Sequence, residues 1–489
     1  QEAIERSSSL LPAIHSMRCA ASTASWCLGG GRAGAPYAAG APRHSCSTAI
    51  PGRPRVPVRG SSLFTNEPPG LAAPGEKRRR WTGPDGDGRR ERRRWVRQPE
   101  LLRRWVDADD VAANPSEIGT GGDGDNFIIV SYNILGDNNA AKHCDLYPNR
   151  PYDVMNWDRR KELICQDIHN CNADIVCLQE VDRYNDLLSI LKRKGYAGTF
   201  KRRTGDAVDG CAVFWRESVF HLLEEKDIEF KRFGLRDNVA QLCIFEMRKA
   251  NTRRLLIGNI HVLFNPNKGD IKLGQIRILL WNANVLAEKW GRVPVVLAGD
   301  FNSTPQSAIY EFLSTSELKL MMHDRRHLSG QNKCHPTPFT LPRFLTYYWN
   351  NEELKNATGN CGCTELEHPW KLRSAYSSVK GTSRTRGPQG EPLATTYHSK
   401  FIGTVDYLWY SVGLTPLSVL DTLPLFILRQ TGGLPCKKIG SDHLALASEF
   451  IFTEEHKLEP HEATESKPAT PENCYEQILL FSPISSVSN

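Results

Sequence analysis

The sequence predicts an α/β domain over residues 126–452, set between a basic leader, residues 1–125, and an acidic tail, residues 453–489. Three observations carry that reading. The texture changes abruptly at Asn126, from an Ala, Gly, Pro, Ser and Arg mixture without apolar periodicity to strand-like apolar runs alternating with amphipathic stretches. Hydrophobic residues make up 40% of the 489, which is ample for a large core. No run of about 18 apolar residues occurs, so no membrane span is expected.

The chain begins at Gln1, with Met17 as a candidate start. Residues Met17 to Asn66 hold six Arg and no acidic residue, which suits an organellar transit peptide; the alternative is a biased leader without fixed structure. Twelve basic residues against four acidic ones lie between Lys77 and Arg104. The clusters KRRRW and RRERRRW read as a nuclear address, an RNA-touching arm or a solvated segment. The expected compartments are therefore cytoplasm and nucleus, or mitochondrion or chloroplast if the Met17 leader is a transit peptide.

From Asn126, NFIIVSYNIL reads as a strand, and Trp157, Ile164, Ile168 and Cys171 fall at helical spacing. ADIVCLQEV is the next strand, and a helix from about Asn185 to Lys194 stops at Gly195. Strands follow at GCAVFWR, VAQLCIFEM and RLLIGNIHVLF, then a long helix to Trp290, the strand VPVVLAGDFN and a short helix near Ala308 to Leu313. Residues 323–395, rich in Gly, Pro, Asn and Thr, read as a long insertion or loop. TVDYLWYS and HLALASEFIF close the domain. No internal repeat and no leucine-rich repeat pattern is present in this chain.

The formal charge of +7 is the balance of a leader at +5, a domain at +7 and a tail at −5. A basic domain suits a polyanion, since Lys and Arg release counterions from phosphates, although a solvated charged surface gives the same count. Fourteen cysteines in so long a chain make no compact disulfide framework, and several lie in apolar runs as small hydrophobes, which favours a reducing compartment. Cys361 and Cys363, with Cys334 and His335 nearby, lack the usual two-residue gap of a zinc pair and read as unligated thiols.

Polar residues interrupt or end the apolar strands: Asn133, Glu180, His261, Asp300 with Asn302, Asp406, and Asp442 with His443. Taken singly, Asp406 is a satisfied polar group and GDFN a turn. Taken together, charges beside apolar strands are costly to bury unless paired or bound to metal. Carboxylate and amide oxygens are hard ligands suited to magnesium or manganese. Clustered carboxylates also repel one another until a cation compensates them, and such a site is suited to phosphoryl chemistry.

The motifs SYNILGDNN, CLQEVDRY, GNIHVLFNP, LAGDFNSTP, GTVDYLWYS and GSDHLAL, in that order from Phe127 to Phe452, resemble the endonuclease/exonuclease/phosphatase superfamily. They are closest to the carbon catabolite repressor four-like deadenylases of plant type without leucine-rich repeats. The resemblance implies a four-layer α/β sandwich of two packed mixed sheets flanked by helices, and a magnesium-dependent enzyme that removes adenylates from the 3′ end of RNA as 5′-AMP. It implies Glu180 as main metal ligand with Asn133 beside it, Asp300 as the residue that orients or activates water, and Asn302 as a phosphate partner on the same side of a strand. Asp406 and His443 would stabilise the phosphorane-like charge, Asp442 would lie at the metal, and His261 would touch the scissile phosphate. Pro266 and Phe401 resemble a clamp on adenine, core packing being the alternative for Phe401. Lys201, Arg202 and Arg203, with Lys192, Arg193 and Lys194, would guide the RNA backbone or form a solvated face.

Without leucine-rich repeats, docking to the large deadenylase assembly is in doubt. Two other functions stand beside the deadenylase: a nucleotide phosphatase of the same fold, for example one removing the 2′-phosphate of NADP(H), and a silent RNA-binding scaffold. The presence of Glu180, Asp300, Asp406 and His443 together speaks against the scaffold.

Overall fold

Side chains alternate between the two faces of an extended strand, and in this chain both faces of the main strands are apolar, so each sheet is covered on both sides. The computed structural model describes residues 101–108, 126–334 and 348–453. The expectations for the rest of the leader, for His335 and for the acidic tail lie outside those residues.

In chain order the strands are β1 (Trp105–Asp107), β2 (Asn126–Asn133), β3 (Ile175–Val181), β4 (Tyr196–Arg202), β5 (Gly210–Arg216), β6 (Phe220–Glu229), β7 (Val239–Met247), β8 (Ala250–His261) and β9 (Val295–Asp300). There follow β10 (Glu317–Lys319), β11 (Glu365–Glu367), β12 (Arg373–Ser374), β13 (Thr396–His398), β14 (Phe401–Gly403), β15 (Asp406–Tyr410), β16 (Leu414–Leu420) and β17 (Leu446–Phe452). Seven build one sheet in the order β1-β16-β17-β2-β3-β5-β4, and six build a second in the order β12-β15-β9-β8-β7-β6. β10 pairs with β11 and β13 with β14.

Phe127, Ile129, Ile175, Cys177 and Val213 of the first sheet meet Cys243, Phe245, Ile257, Val296 and Leu408 of the second in a shared core. Their neighbours along the strands, Val130, Tyr132, Val176, Leu178 and Phe214, face outward onto Ile164 and Ile168 of the helix Trp157–Asn170 and Leu187 and Leu191 of the helix Tyr184–Lys192. On the other side, Leu242, Ile244, Leu256 and Leu297 pack on Leu273, Ile276 and Leu280 of the helix Gly269–Lys289. Helix, sheet, sheet, helix is the expected four-layer α/β sandwich. A polar bridge crosses the middle: Gln179 Nε2 donates to Asn259 Oδ1 at 2.8 Å, and Asn259 Nδ2 donates to the carbonyls of Leu178 and Ala212 at 3.0 and 2.9 Å.

Three expectations need correction. β1 lies inside the stretch read as leader, yet it pairs antiparallel with β16 and brings Val106 against the core between the sheets, so the domain takes in residues before 126. A three-residue strand is too short to show a period. The stretch read as a loop over 323–395 is structured from 348 onward. The helix Asn351–Thr358 opens with a capping box between Asn350 and Glu353 and buries Leu354 and Ala357 against the core around Gly269–Lys289. β12 then edges the second sheet, and Tyr376 and Val379 sit between the sheets. Finally, Cys363 is disulfide-bonded, whereas Cys165, Cys177 and Cys243 are free and buried as expected.

Candidate functional site

Strand pairing in the second sheet sets three polar residues in one row. His261 stands opposite Asp300 in the parallel β8/β9 ladder, and Asp300 stands opposite Asp406 in the antiparallel β9/β15 ladder. Residues so paired hold their Cβ atoms about 4.5–5.5 Å apart, so their side chains meet. His261 Nε2 lies 3.5 Å from Asp300 Oδ2.

The first sheet supplies the other half. β2 ends on Asn133, and the β3/β5 register shifts between Leu178 and Val181, which sets Glu180 in the left-handed region at φ 58°. A non-glycine residue in that region costs of order 1–3 kcal/mol and re-aims its side chain. Asn133 Nδ2 lies 3.1 Å from Glu180 Oε1 and 3.1 Å from Asp300 Oδ2, so those carboxylate oxygens are at most twice 3.1 Å apart. Glu180 Oε2 also accepts from Asn139 Nδ2 at 2.9 Å and from the Gly136 amide at 3.3 Å. Among the described residues no Lys or Arg pairs with Glu180.

His443, three residues before β17, closes the ring. Its Nδ1 lies 2.9 Å from Asp406 Oδ2 and its Nε2 3.9 Å from Asp300 Oδ2. Thr395 Oγ1 also donates to Asp406 Oδ2, while Asp406 Oδ1 is buried without a partner among the described residues. Burial, and then the charge of Asp406, push Asp300 up to about 7, with His443 opposing. Burial alone would lower His443, but Asp406, Asp442 and Asp300 outweigh it and hold the imidazole well above its ordinary range, as a cation. Burial, then Arg203, bring His261 down to about 4, and its Nδ1 has no partner among the described residues.

The ligand-type atoms of Asp300, Asp406 and His443 lie within 4.8 Å of one another. His443 Nδ1 is already committed to Asp406, so this trio is a hydrogen-bonded pair facing Asp300 rather than a ligand set. Glu180, Asp300 and Asp406 set three carboxylates against the single imidazolium of His443, which leaves a surplus of negative charge. Hard oxygens with that surplus fit a divalent cation.

The other expected residues divide. Asp300 is the last strand residue, and Asn302 follows in the left-handed region at φ 48°. The expectation that both leave one side of a strand is therefore wrong. An Asx turn replaces it, with the Asn302 amide donating to Asp300 Oδ1 at 2.9 Å. The Asn302 side chain accepts from Gln331 at 3.0 Å and donates to the Val262 carbonyl at 3.0 Å, leaving one amide hydrogen. Asp442 turns to Tyr147, whose hydroxyl donates to Oδ2 at 2.8 Å, and does not join the group around Asp300. Pro266 lies half-buried on the loop after His261, and Phe401 is buried on β14 beside His398. Lys201 is neutralised by Glu229 at 2.7 Å and Asp227 at 3.4 Å, Arg202 is tied to nearby carbonyls, and Arg203 pairs with Asp209 at 3.6 Å. Lys192, Arg193 and Lys194 are exposed at a helix end.

Sequence reasoning missed Lys272. It is fully buried, and its Nζ donates to the carbonyls of Asn302 at 2.7 Å and Phe264 at 3.3 Å and to Gln331 Oε1. The available signal was a Lys and a Gln at i and i+3 in an otherwise apolar helix; Gln275 accepts from the Leu263 amide at 2.9 Å.

The sequence profile of the Endonuclease/Exonuclease/phosphatase family matches residues 130–443, from β2 to His443. The chain belongs to that family. As such it is a hydrolase with a nuclease or phosphatase site, and divalent-metal dependence is general in the family. It is 50% identical over 384 residues to Carbon catabolite repressor protein 4 homolog 3 of Arabidopsis thaliana, covering 76% of this chain and 84% of that one. It is 27% identical over 421 residues to the CCR4-Not complex 3′-5′-exoribonuclease subunit Ccr4 of Phaeosphaeria nodorum, covering 71% and 62%. Among solved structures it is similar to ANGEL2, a 2′,3′-cyclic phosphatase, in complex with adenosine-2′,3′-vanadate, at 30% identity and TM-score 0.59, covering 72% of this chain and 99% of that one.

Proposed function

We propose that this chain is a magnesium-dependent 3′ to 5′ exoribonuclease that removes adenylates from RNA and releases 5′-AMP, manganese being the alternative ion. One observation carries the reading: Asp300 Oδ2 gathers Asn133 Nδ2 at 3.1 Å, His261 Nε2 at 3.5 Å and His443 Nε2 at 3.9 Å, joining both sheets at one point. Glu180 and Asp300 would hold the cation, which when bound polarises the phosphate oxygens and the leaving group. Asp300 orients a water and takes its proton. His443, kept cationic by Asp406, faces the charge that grows on the phosphate. Neutral His261 and the free hydrogen of Asn302 contact the phosphate oxygens. Pro266 and Phe401 clamp the terminal adenine, such stacking being worth about 1–3 kcal/mol. The RNA substrate is supported by the relatives named for carbon catabolite repressor protein 4 and by the basic balance of the domain.

A second reading, hydrolysis of a ribose-linked phosphate at the same site, is favoured by the likeness to ANGEL2. The test incubates the chain, with and without magnesium, with RNA ending in adenylates, RNA ending in another base, RNA ending in a 2′,3′-cyclic phosphate, and NADPH. Stepwise shortening of the adenylated RNA alone, only with magnesium, is expected. Phosphate chemistry on the cyclic end or on NADPH without shortening overturns the exonuclease.

A further inference from the structure

β13 runs outward from the site. Thr396 forms a bridge with His443, and the two-residue period of a strand puts His398 on the same face as Thr396. The His398 ring stands 6.5 Å from that of Tyr147, whose hydroxyl holds Asp442, and 6.2 Å from that of Phe401. His398 thus sits between the catalytic end of the cleft and the aromatic ring assigned to the base.

His398 is 6% exposed, and its two ring nitrogens differ. The Lys400 amide donates to Nδ1 at 3.3 Å, so Nδ1 bears no proton and the single N–H is on Nε2. Burial brings the imidazole down to about 4, which keeps a second proton off at neutral pH. Among the described residues Nε2 meets no acceptor, and it is not among the nitrogens sealed from solvent. The N–H held this way is left to donate to an acceptor on a ligand. Phe401, 7% exposed, joins none of the apolar clusters formed by the described residues, and its ring neighbour among them is His398.

We propose that His398 Nε2–H donates to a ring nitrogen of the 3′-terminal adenine while Phe401 covers the face of the base, which makes His398 a specificity-determining residue. This rests on the exonuclease reading above. Adenine N1 is the acceptor that separates it from guanine, which carries hydrogen there, whereas N7 is shared by both purines. Pyrimidines offer the aromatic ring a smaller face.

The test uses the full chain with RNAs whose last residue is adenosine, 1-deazaadenosine, 7-deazaadenosine or guanosine, and the variants His398→Leu and His398→Gln, with folding checked by circular dichroism. The wild type should lose roughly tenfold in kcat/KM when the accepting nitrogen becomes carbon. His398→Leu should lose roughly tenfold on adenosine and no more on that deaza form, and His398→Gln, which keeps an N–H, should recover most of the rate. A uniform fall on all four ends, or a deaza penalty retained in His398→Leu, overturns the proposal. Calorimetric binding of 5′-AMP and its deaza analogues reads the same contact without turnover. The same pattern there, from a protein that shortens no RNA, upholds the base contact and refutes the exonuclease reading alone.

Discussion

Replacing Lys272 by Met tests whether the catalytic loop is held in place from behind. The ammonium has three hydrogens and three acceptors, the carbonyls of Asn302 and Phe264 and Gln331 Oε1. Burial draws its pKa well below the ordinary lysine range, with Asp300 opposing, yet three acceptors require three protons, so the group is charged. Met keeps the length of the side chain. It removes a buried ion whose desolvation costs several kcal/mol and strands three acceptors at about 1–3 kcal/mol each, so the two effects oppose one another. The net loss of stability should be about 1–2 kcal/mol, small against the roughly 5–15 kcal/mol of a folded domain. Turnover should suffer more. Asn302 is held at φ 48° through its carbonyl by Lys272 and through its side chain by Gln331, itself held by Lys272. Releasing both handles by about 1 Å should cost on the order of 100-fold in kcat. Thermal unfolding and steady-state hydrolysis measure the two effects side by side. Gln331→Leu should act through the same handle, so the double variant should be no worse than Lys272→Met alone. Wild-type kcat in Lys272→Met, or losses that multiply in the double variant, would refute the reasoning.

Glu180→Gln should lower turnover by at least about 1000-fold while the fold survives, because a neutral amide keeps the shape but removes the charge on which the cation depends; undiminished hydrolysis across a magnesium titration would sink the metal assignment. Asp300→Asn should inactivate the enzyme yet stabilise the metal-free protein above pH 7. Its folded pKa of about 7 lies above the unfolded value, so the wild type loses stability as pH rises from the unfolded value to the folded one. The gain should be about 2–4 kcal/mol in urea unfolding at pH 8 with chelator, and magnesium should stabilise the wild type but not this variant. His443 has the same sign of pH dependence: the stability from its pairing with Asp406 is fully present below the unfolded pKa and is lost as pH rises through the raised folded one, so Asp406→Asn should destabilise more at pH 6 than at pH 9. Asn259→Leu strands Gln179 and two carbonyls between the sheets and should cost about 3 kcal/mol by chemical denaturation.

Much of the site was legible because its residues break a simple pattern. Asn133, Glu180, His261, Asp300 and Asp406 are polar groups at the ends of strands that are otherwise apolar, a contrast visible without coordinates. Residues that act from behind the site were not legible, since Lys272 on a helix looks like any solvated lysine until both faces of that helix are known to be covered. Asp442 misled for the opposite reason: adjacency to His443 suggested the same cleft, but successive side chains diverge, and Asp442 turns to Tyr147. Strands β6 and β16 escaped notice because Glu224, Glu225, Lys226 and Asp227 dilute one and Pro416 interrupts the other. The basic run at Lys201 to Arg203 looked available for a phosphate backbone, but the sequence does not show that Asp227, Glu229 and Asp209 arrive on neighbouring elements to neutralise it.

The convergence itself follows from topology. In the first sheet β2 and β3 are parallel neighbours, with antiparallel β17 beside β2; in the second β8 and β9 are parallel neighbours, with antiparallel β15 beside β9. The carboxyl ends of each parallel pair point one way, and the antiparallel partner begins at that same edge. Asn133 and Glu180 occupy the ends of one pair, His261 and Asp300 the ends of the other, while His443 and Asp406 stand where the antiparallel strands start. Each sheet thus contributes two residues at strand ends and one at a strand start, all at one edge of the sandwich. Carboxyl ends of parallel strands are a common place for ligands, because loops leave there and no further strand residue must fill the space. The Asn259 to Gln179 bridge lies one to two residues below His261 and Glu180, and it keeps the two edges in step. A sheet slipped by one residue would turn each of these side chains to the opposite face. Weakening that bridge should therefore lower turnover before it unfolds the chain, and a destabilised Asn259→Leu that retains wild-type kcat would show that the two edges are aligned by something else.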